Sequence, residues 1–182
     1  MINYTDSLAK YYSNPIDLND SVDLIFETIK NNKNIWLIGN GGSAATAEHF
    51  EIDLMYIKFS LSSGHIRTTA LTSNSAVITA IANDLGFEYI FSSQLERKAT
   101  KGDLCVIFSA SGNSSNLIEA VKVCKSKQVK SLGLLGFDGG ALLKLVDLSL
   151  HVRTESGSYG IVEDIHLSMC HQISKILLEK LV

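Results

Sequence analysis

The chain lacks several features that would fix a functional class at once. Its 182 residues carry 16 Lys and Arg against 19 Asp and Glu, a net charge of −3, and that balance supplies no bulk attraction for nucleic acid. Cysteine is scarce: Cys105, Cys124 and Cys170 form no C-x-x-C pair and lie inside apolar or amphipathic runs, as reduced, buried thiols do. No apolar run is long enough to span a membrane, and the first residues lack the apolar core of a signal peptide. Neither G-x-x-x-x-G-K-[ST] nor a strand-linked G-x-G-x-x-G is present, so a nucleotide cofactor loses its main support. The expectation is a soluble, cytoplasmic protein of ordinary composition, 46% apolar and 19% charged. Residues 1–182 are long enough for one domain with a substantial core.

Apolar spacing divides the chain into alternating strands and helices. Residues 1–14 are polar and tyrosine-rich, a segment ordered only by contact with something else. From Pro15, the residues Ile16, Leu18, Val22, Ile25, Phe26 and Ile29 recur at helical spacing up to Asn31-Asn32. This helix precedes the alternation, and residues 1–32 read as an extension packing on the core or on a partner subunit. Strands are then expected at 35–38, 67–72, 104–109, 130–137 and 148–152. Helices fall at 43–59, 74–83, 87–99 and 114–127, with a short one ending at Val146 and a last one after the loop Thr154–Tyr159. The aromatics of Phe87–Phe91 stand at helical spacing and read as core. Strands separated by helices need crossovers, which makes this an α/β chain with a five-stranded parallel sheet covered on both faces. Ligands of such sheets bind beyond the carboxyl ends of the strands.

Two turns carry the candidate chemistry. The first, Gly39-Asn40-Gly41-Gly42, follows the apolar run Ile35–Ile38 and leads into Ser43 at a helix start, where free N–H groups attract anions. The second, Ser109-Ala110-Ser111-Gly112-Asn113-Ser114-Ser115-Asn116, sits between a buried strand and another helix start. Hydroxyls and backbone N–H groups can together surround a phosphate without a lysine. A helix cap explains Ser114, but not Ser109 and Ser111 as well. His49 and Asp53 are spaced i, i+4 and so share a helix face. Glu163 and Asp164 have a structural explanation too, since acidic residues in a first turn favour the helix dipole. His65 and His151 read as surface or hydrogen-bonded residues, and His166 as a candidate for supporting the site from behind.

These features occur together and in a recognisable order. Gly39–Ala44, Thr79-Ala80-Ile81-Ala82-Asn83-Asp84, Ser109–Ser114 and a late helix ending in a His-x4-His pattern resemble the sugar isomerase (SIS) fold. The helices of His49 and His171 narrow the resemblance to the phosphoheptose isomerase family, over essentially the whole chain. The resemblance implies a flavodoxin-like, doubly wound five-stranded sheet with an extra N-terminal helix. It also implies a homotetramer with sites at subunit interfaces, no nucleic-acid or membrane partner, and conversion of sedoheptulose 7-phosphate to a heptose 7-phosphate for lipopolysaccharide or capsule.

Carried over by position, Ser109, Ser111 and Ser114 hold the phosphate, with Ala110 where the family usually has threonine. Asn40, Gly41, Ser43 and Asp84 contact the sugar chain. His171 matches the catalytic histidine, Asp53 stands where the family has the catalytic glutamate, and Glu163 where it has a glutamine. In some members these positions, with His49, bind zinc. The four residues do form an N2O2 donor set. Glu163 and His171, however, stand about 12 Å apart on an ideal helix, so one ion reaches both only if the helix start is irregular or the pairs converge across an interface. The family's substrate-contacting arginine is replaced by Ile57, followed by Lys58.

Moving a carbonyl from C2 to C1 through an enediol needs one group to take a proton and another to deliver one, and a carboxylate and an imidazole can share that work. Aspartate is one methylene shorter than glutamate, so either Asp53 or Glu163 is the general base. The rival to an isomerase is a non-catalytic SIS module that binds a sugar phosphate or a protein, of the regulator or replication-initiator-associated type. Such a module has no use for the acid/base set. An isomerase for a ketohexose 6-phosphate is a third reading.

Overall fold

The structure is a computed structural model that describes residues 4–58 and 66–181. Five strands form one all-parallel sheet: β1 (Asn34–Gly39), β2 (Arg67–Ala70), β3 (Leu104–Ser109), β4 (Lys130–Leu135) and β5 (Leu148–His151). Their order is β2-β1-β3-β4-β5. After β1 the chain moves outward to β2, then returns to the other side of β1 to lay down β3. The topological switch point therefore lies between β1 and β3, whose register runs from Ile35 beside Leu104 to Gly39 beside Phe108. Ligand crevices of doubly wound sheets open at this place.

Seven α-helices are described: α1 (Tyr4–Ser13), α2 (Asn19–Lys30), α3 (Gly42–Lys58), α4 (Ser75–Asp84), α5 (Ser92–Lys98), α6 (Ser115–Lys127) and α7 (Tyr159–Leu181). Alternation along β3 sorts its side chains to two cores. Leu104, Val106 and Phe108 join residues of α2, α3 and α7, including Val22, Phe50, Leu54, Ile165 and Met169. Cys105 and Ile107 join Leu95 of α5 and Leu117 and Val121 of α6. Asp103 fastens the start of the central strands: its carboxylate accepts from the Asn34 and Thr100 amides and from Trp36 Nε1, at 2.9–3.0 Å. The three cysteines are buried and free. No helix among the described residues is long and apolar enough to cross a membrane.

Several expected boundaries change. Residues expected to lack order of their own form α1, whose Tyr4 hydroxyl donates to Asp164 Oδ2 at 2.5 Å. That hydrogen bond raises the Tyr4 phenol to about 12, with desolvation and the charges of Asp164 and Glu163 adding to it. The helix expected from Pro15 starts at Asn19, where the Asp17 carboxylate accepts the Asn19 amide at 2.9 Å. The single helix expected over 87–99 splits into a 3-10 turn at Phe87–Tyr89 and α5. Phe91 is buried, but Phe87 and Tyr89 are 56% and 41% exposed, so only part of that aromatic run is core. His151 Nε2 meets the Phe137 carbonyl at 3.1 Å. The expectation for His65, and the end of the helix expected over 43–59, lie outside the described residues.

Candidate active site

The turns after β1 and β3 meet at the switch point. An amide pair ties them: Asn40 Nδ2 donates to Asn116 Oδ1 at 2.9 Å, and Asn116 Nδ2 returns to Asn40 Oδ1 at 2.8 Å. In the serine turn, Ser109 Oγ accepts the Gly112 amide at 3.0 Å and Ser111 Oγ accepts the Asn113 amide at 3.3 Å. Gly112 has φ +65°, and a Cβ there would lie 2.0 Å from the Gly139 carbonyl oxygen, so this turn requires glycine. Ser114 precedes α6 in extended conformation, yet its side chain makes no capping bond. Its hydroxyl therefore stands uncommitted to the helix, beside the free N–H groups of a helix start. A cavity of about 90 Å³ lies here, lined by Asn40, Ser43, Ser109, Ser111, Ser114 and Glu163 among others.

The second cluster lies farther along the same helices. α3 presents His49 and Asp53 one turn apart, and α7, packed beside it, brings His171 to them. His171 Nδ1 is 3.0 Å from Asp53 Oδ2, and His49 Nε2 is 3.5 Å from Asp53 Oδ1. The two imidazoles meet edge to face at 5.0 Å. Asp53 is only 18% exposed between two half-exposed rings, and its charge, behind desolvation, helps raise the thiol of the neighbouring Cys170. One donor atom from each of His49, Asp53 and His171 lies within 4.8 Å of the others. That set of two nitrogens and one oxygen fits a zinc-type ion with an open position.

Comparison with known proteins decides the family. The SIS domain model matches residues 4–136. Phosphoheptose isomerase of Campylobacter concisus is 38% identical over 175 residues, covering 94% of this chain and 91% of that protein. The phosphoheptose isomerase of Aliarcobacter butzleri is 40% identical over 151 residues, covering 83% and 78%. The chain belongs to the phosphoheptose isomerase family. Among solved structures, the phosphoheptose isomerase of Neisseria gonorrhoeae matches with a TM-score of 0.86 at 28% identity, covering 96% of this chain and 92% of that one.

Within this phosphoheptose isomerase fold, the expected site residues fall into three groups. Asn40, Ser43, Ser109, Ser111, Ser114 and Glu163 line the serine cavity, and Gly41 (φ +58°) forms the turn beside it. His49, Asp53 and His171 form the donor cluster, from which Glu163 is absent. The reason is the one anticipated by spacing: α7 is helical from Tyr159 through both residues, which separates them by about 12 Å. Asp84 joins neither group; it lines a groove between α4 and α5 with Val77, Ile81 and Leu85. His166 is fully buried, 6.5 Å from the Phe108 ring. Two residues of the site have no role in the sequence reading: Asn116, which closes the serine turn, and Tyr159. Asn116 carried a signal, an amide in the first turn of the helix that follows the serine turn; Tyr159 sat in a stretch read as loop.

Proposed function

We propose that this chain is an aldose–ketose isomerase converting sedoheptulose 7-phosphate to a heptose 7-phosphate through an enediol. The observation that carries the reading is the His171–Asp53 pair at 3.0 Å on helices that also border a serine-lined cavity. A binding module needs the serines but not that pair. In this reading Ser111, Ser114 and the start of α6 hold the phosphate, while Asn40 and Ser43 face the sugar. Glu163, whose carboxylate shares the cavity with them, takes the proton from the carbon chain. Asp53 is engaged by both imidazoles, and it holds His171 so that Nε2 remains to deliver or accept a proton.

His49, Asp53 and His171 are also the residues that would hold a zinc ion, which would supply Lewis-acid polarisation of the substrate carbonyl. The serine cavity and this cluster are two turns of α7 apart, which favours sites completed by a second subunit. α4 buries none of its side chains fully, and the neighbouring Leu85 and Phe87 are 54% and 56% exposed, an apolar surface suited to subunit contact. With it go the homotetramer, a cytoplasmic location and heptose supply to surface polysaccharide. Incubation with sedoheptulose 7-phosphate in deuterated water, with and without chelator, tests the activity. Deuterium at C2 of the aldose is expected. Binding without turnover over a panel of ketose phosphates would instead favour the regulator.

A further inference from the structure

A cavity of about 450 Å³ opens beside the serine turn, lined by Ser111, Asn113, Asp138, Arg153, Ser156 and Tyr159 among others. It shares Ser111 and Tyr159 with the smaller serine cavity, so the two are adjoining parts of one crevice. Among the described residues, Arg153 is the one Lys or Arg that lines either of them. No carboxylate among the described residues pairs with it. Asp138, which also lines the larger cavity, uses Oδ1 to accept the Gly140 amide at 3.0 Å and so holds its own turn.

The backbone around Arg153 is fastened on both sides. The Val152 amide donates to the Leu135 carbonyl at 2.8 Å, and Thr154 Oγ1 accepts the Phe137 amide at 3.3 Å. Tyr159, the first residue of α7, packs edge to face on Phe137 at 5.1 Å, and both rings line the same cavity. A guanidinium is thus carried on tethered backbone rather than on a free loop, which lowers the ordering cost of using it.

The electrostatics of the serine cavity call for such a group. A phosphate monoester carries a charge of about −1.5 to −2 at neutral pH. The serine hydroxyls are neutral, and a helix start offers only about half a positive charge. Glu163 adds a carboxylate to the same small cavity. We propose that Arg153 is the cationic, specificity-determining residue for the phosphate monoester of the substrate, reaching it from the larger cavity across Ser111. This rests on the reading of the serine turn as the phosphate site. A planar guanidinium donates to two phosphate oxygens at once, which a lysine cannot reproduce.

The test is calorimetric titration of inorganic phosphate into the parent, Arg153→Ala and Arg153→Lys, with steady-state kinetics on sedoheptulose 7-phosphate alongside. The phosphate Kd is expected to rise by about tenfold or more in Arg153→Ala, with Arg153→Lys between it and the parent. KM should rise in step while kcat falls far less. A phosphate Kd for Arg153→Ala within about twofold of the parent's would overturn the proposal, because a charge-assisted contact is worth more than that. A parent that binds phosphate in an Arg153-dependent way but does not turn over sedoheptulose 7-phosphate would overturn the proposed reaction and support this assignment.

Discussion

The Glu163 carboxylate occupies the space that a side chain at Gly42 would fill. A Cβ built on Gly42 would stand 2.3 Å from the Glu163 carboxyl carbon and 2.3–2.4 Å from its oxygens. Gly42 is the first residue of α3, so an internal carboxylate from α7 rests on the positive end of another helix, where negative charge is favoured. This helix start, a natural anion site, is therefore held by the protein's own acid, which in the proposed reading leaves the phosphate to the serine turn and α6.

Gly42→Ala should consequently separate stability from activity. The backbone at Gly42 has no positive φ, and alanine is the better helix former, so the melting temperature should hold or rise slightly. The added methyl meets the far end of a flexible side chain, which swings away. If Glu163 takes the proton, a displacement on the order of 1 Å should lower kcat by about 100-fold. Unchanged kcat with sedoheptulose 7-phosphate would remove Glu163 from the chemistry and return the base role to Asp53.

A serine at a helix N-cap normally stabilises its helix, and Ser→Ala there costs about 1 kcal/mol. Ser114 holds that position without making the bond. Ser114→Ala should therefore leave the urea midpoint nearly unchanged, yet weaken binding of inorganic phosphate severalfold. A clear drop in stability with intact phosphate affinity would make Ser114 an ordinary cap.

The donor cluster predicts a metal effect that needs no turnover to observe. A ligand that binds only the folded state raises stability in proportion to RT ln(1 + [L]/Kd), about 2.7 kcal/mol at a hundredfold excess over Kd. Zinc should raise the melting temperature of the parent, and a chelator should reverse it. Asp53→Ala should abolish most of the zinc shift, since it removes the carboxylate whose Oδ2 lies 3.0 Å from His171 Nδ1 and whose Oδ1 lies 3.5 Å from His49 Nε2. An equal shift in parent and variant would show that zinc binds elsewhere.

How much of this was legible beforehand depends on the range of the interaction. β3 was read residue for residue, because an unbroken apolar run between Lys101-Gly102-Asp103 and a serine-glycine turn admits one interpretation. The glycine turn after β1 and the serine turn after β3 were equally plain as turns, since the residues that form them are local. The split of residues 87–99 and the exposure of Phe87 and Tyr89 were not, because periodicity shows that a face is apolar but not what covers it. The contact of Glu163 with Gly42 joins residues 121 positions apart, and nothing local announces it. The His171–Asp53 pairing is as distant, and it was anticipated only through family resemblance.

Burial of His166 makes the stability of the fold depend on pH on the acid side. It is fully buried on α7 against Phe108, and neither ring nitrogen has a partner of hydrogen-bond geometry among the described residues. Desolvation lowers its pKa from 6.5 to about 4, with the Leu135 backbone opposing only in part. The unfolded chain therefore takes up a proton near pH 6.5, which the folded chain refuses until about pH 4. Between those values the unfolded state binds more protons, so stability rises with pH; the contribution is complete above pH 6.5 and lost as pH falls towards 4. Its size is on the order of 3 kcal/mol, from 1.36 kcal/mol for each pKa unit. Urea melts of the parent from pH 7 to pH 4.5 should show this slope, and His166→Leu should flatten it by about one proton, whatever its own stability at pH 7. An unchanged slope would mean that His166 takes up its proton over the same pH range in the folded protein as in the unfolded chain.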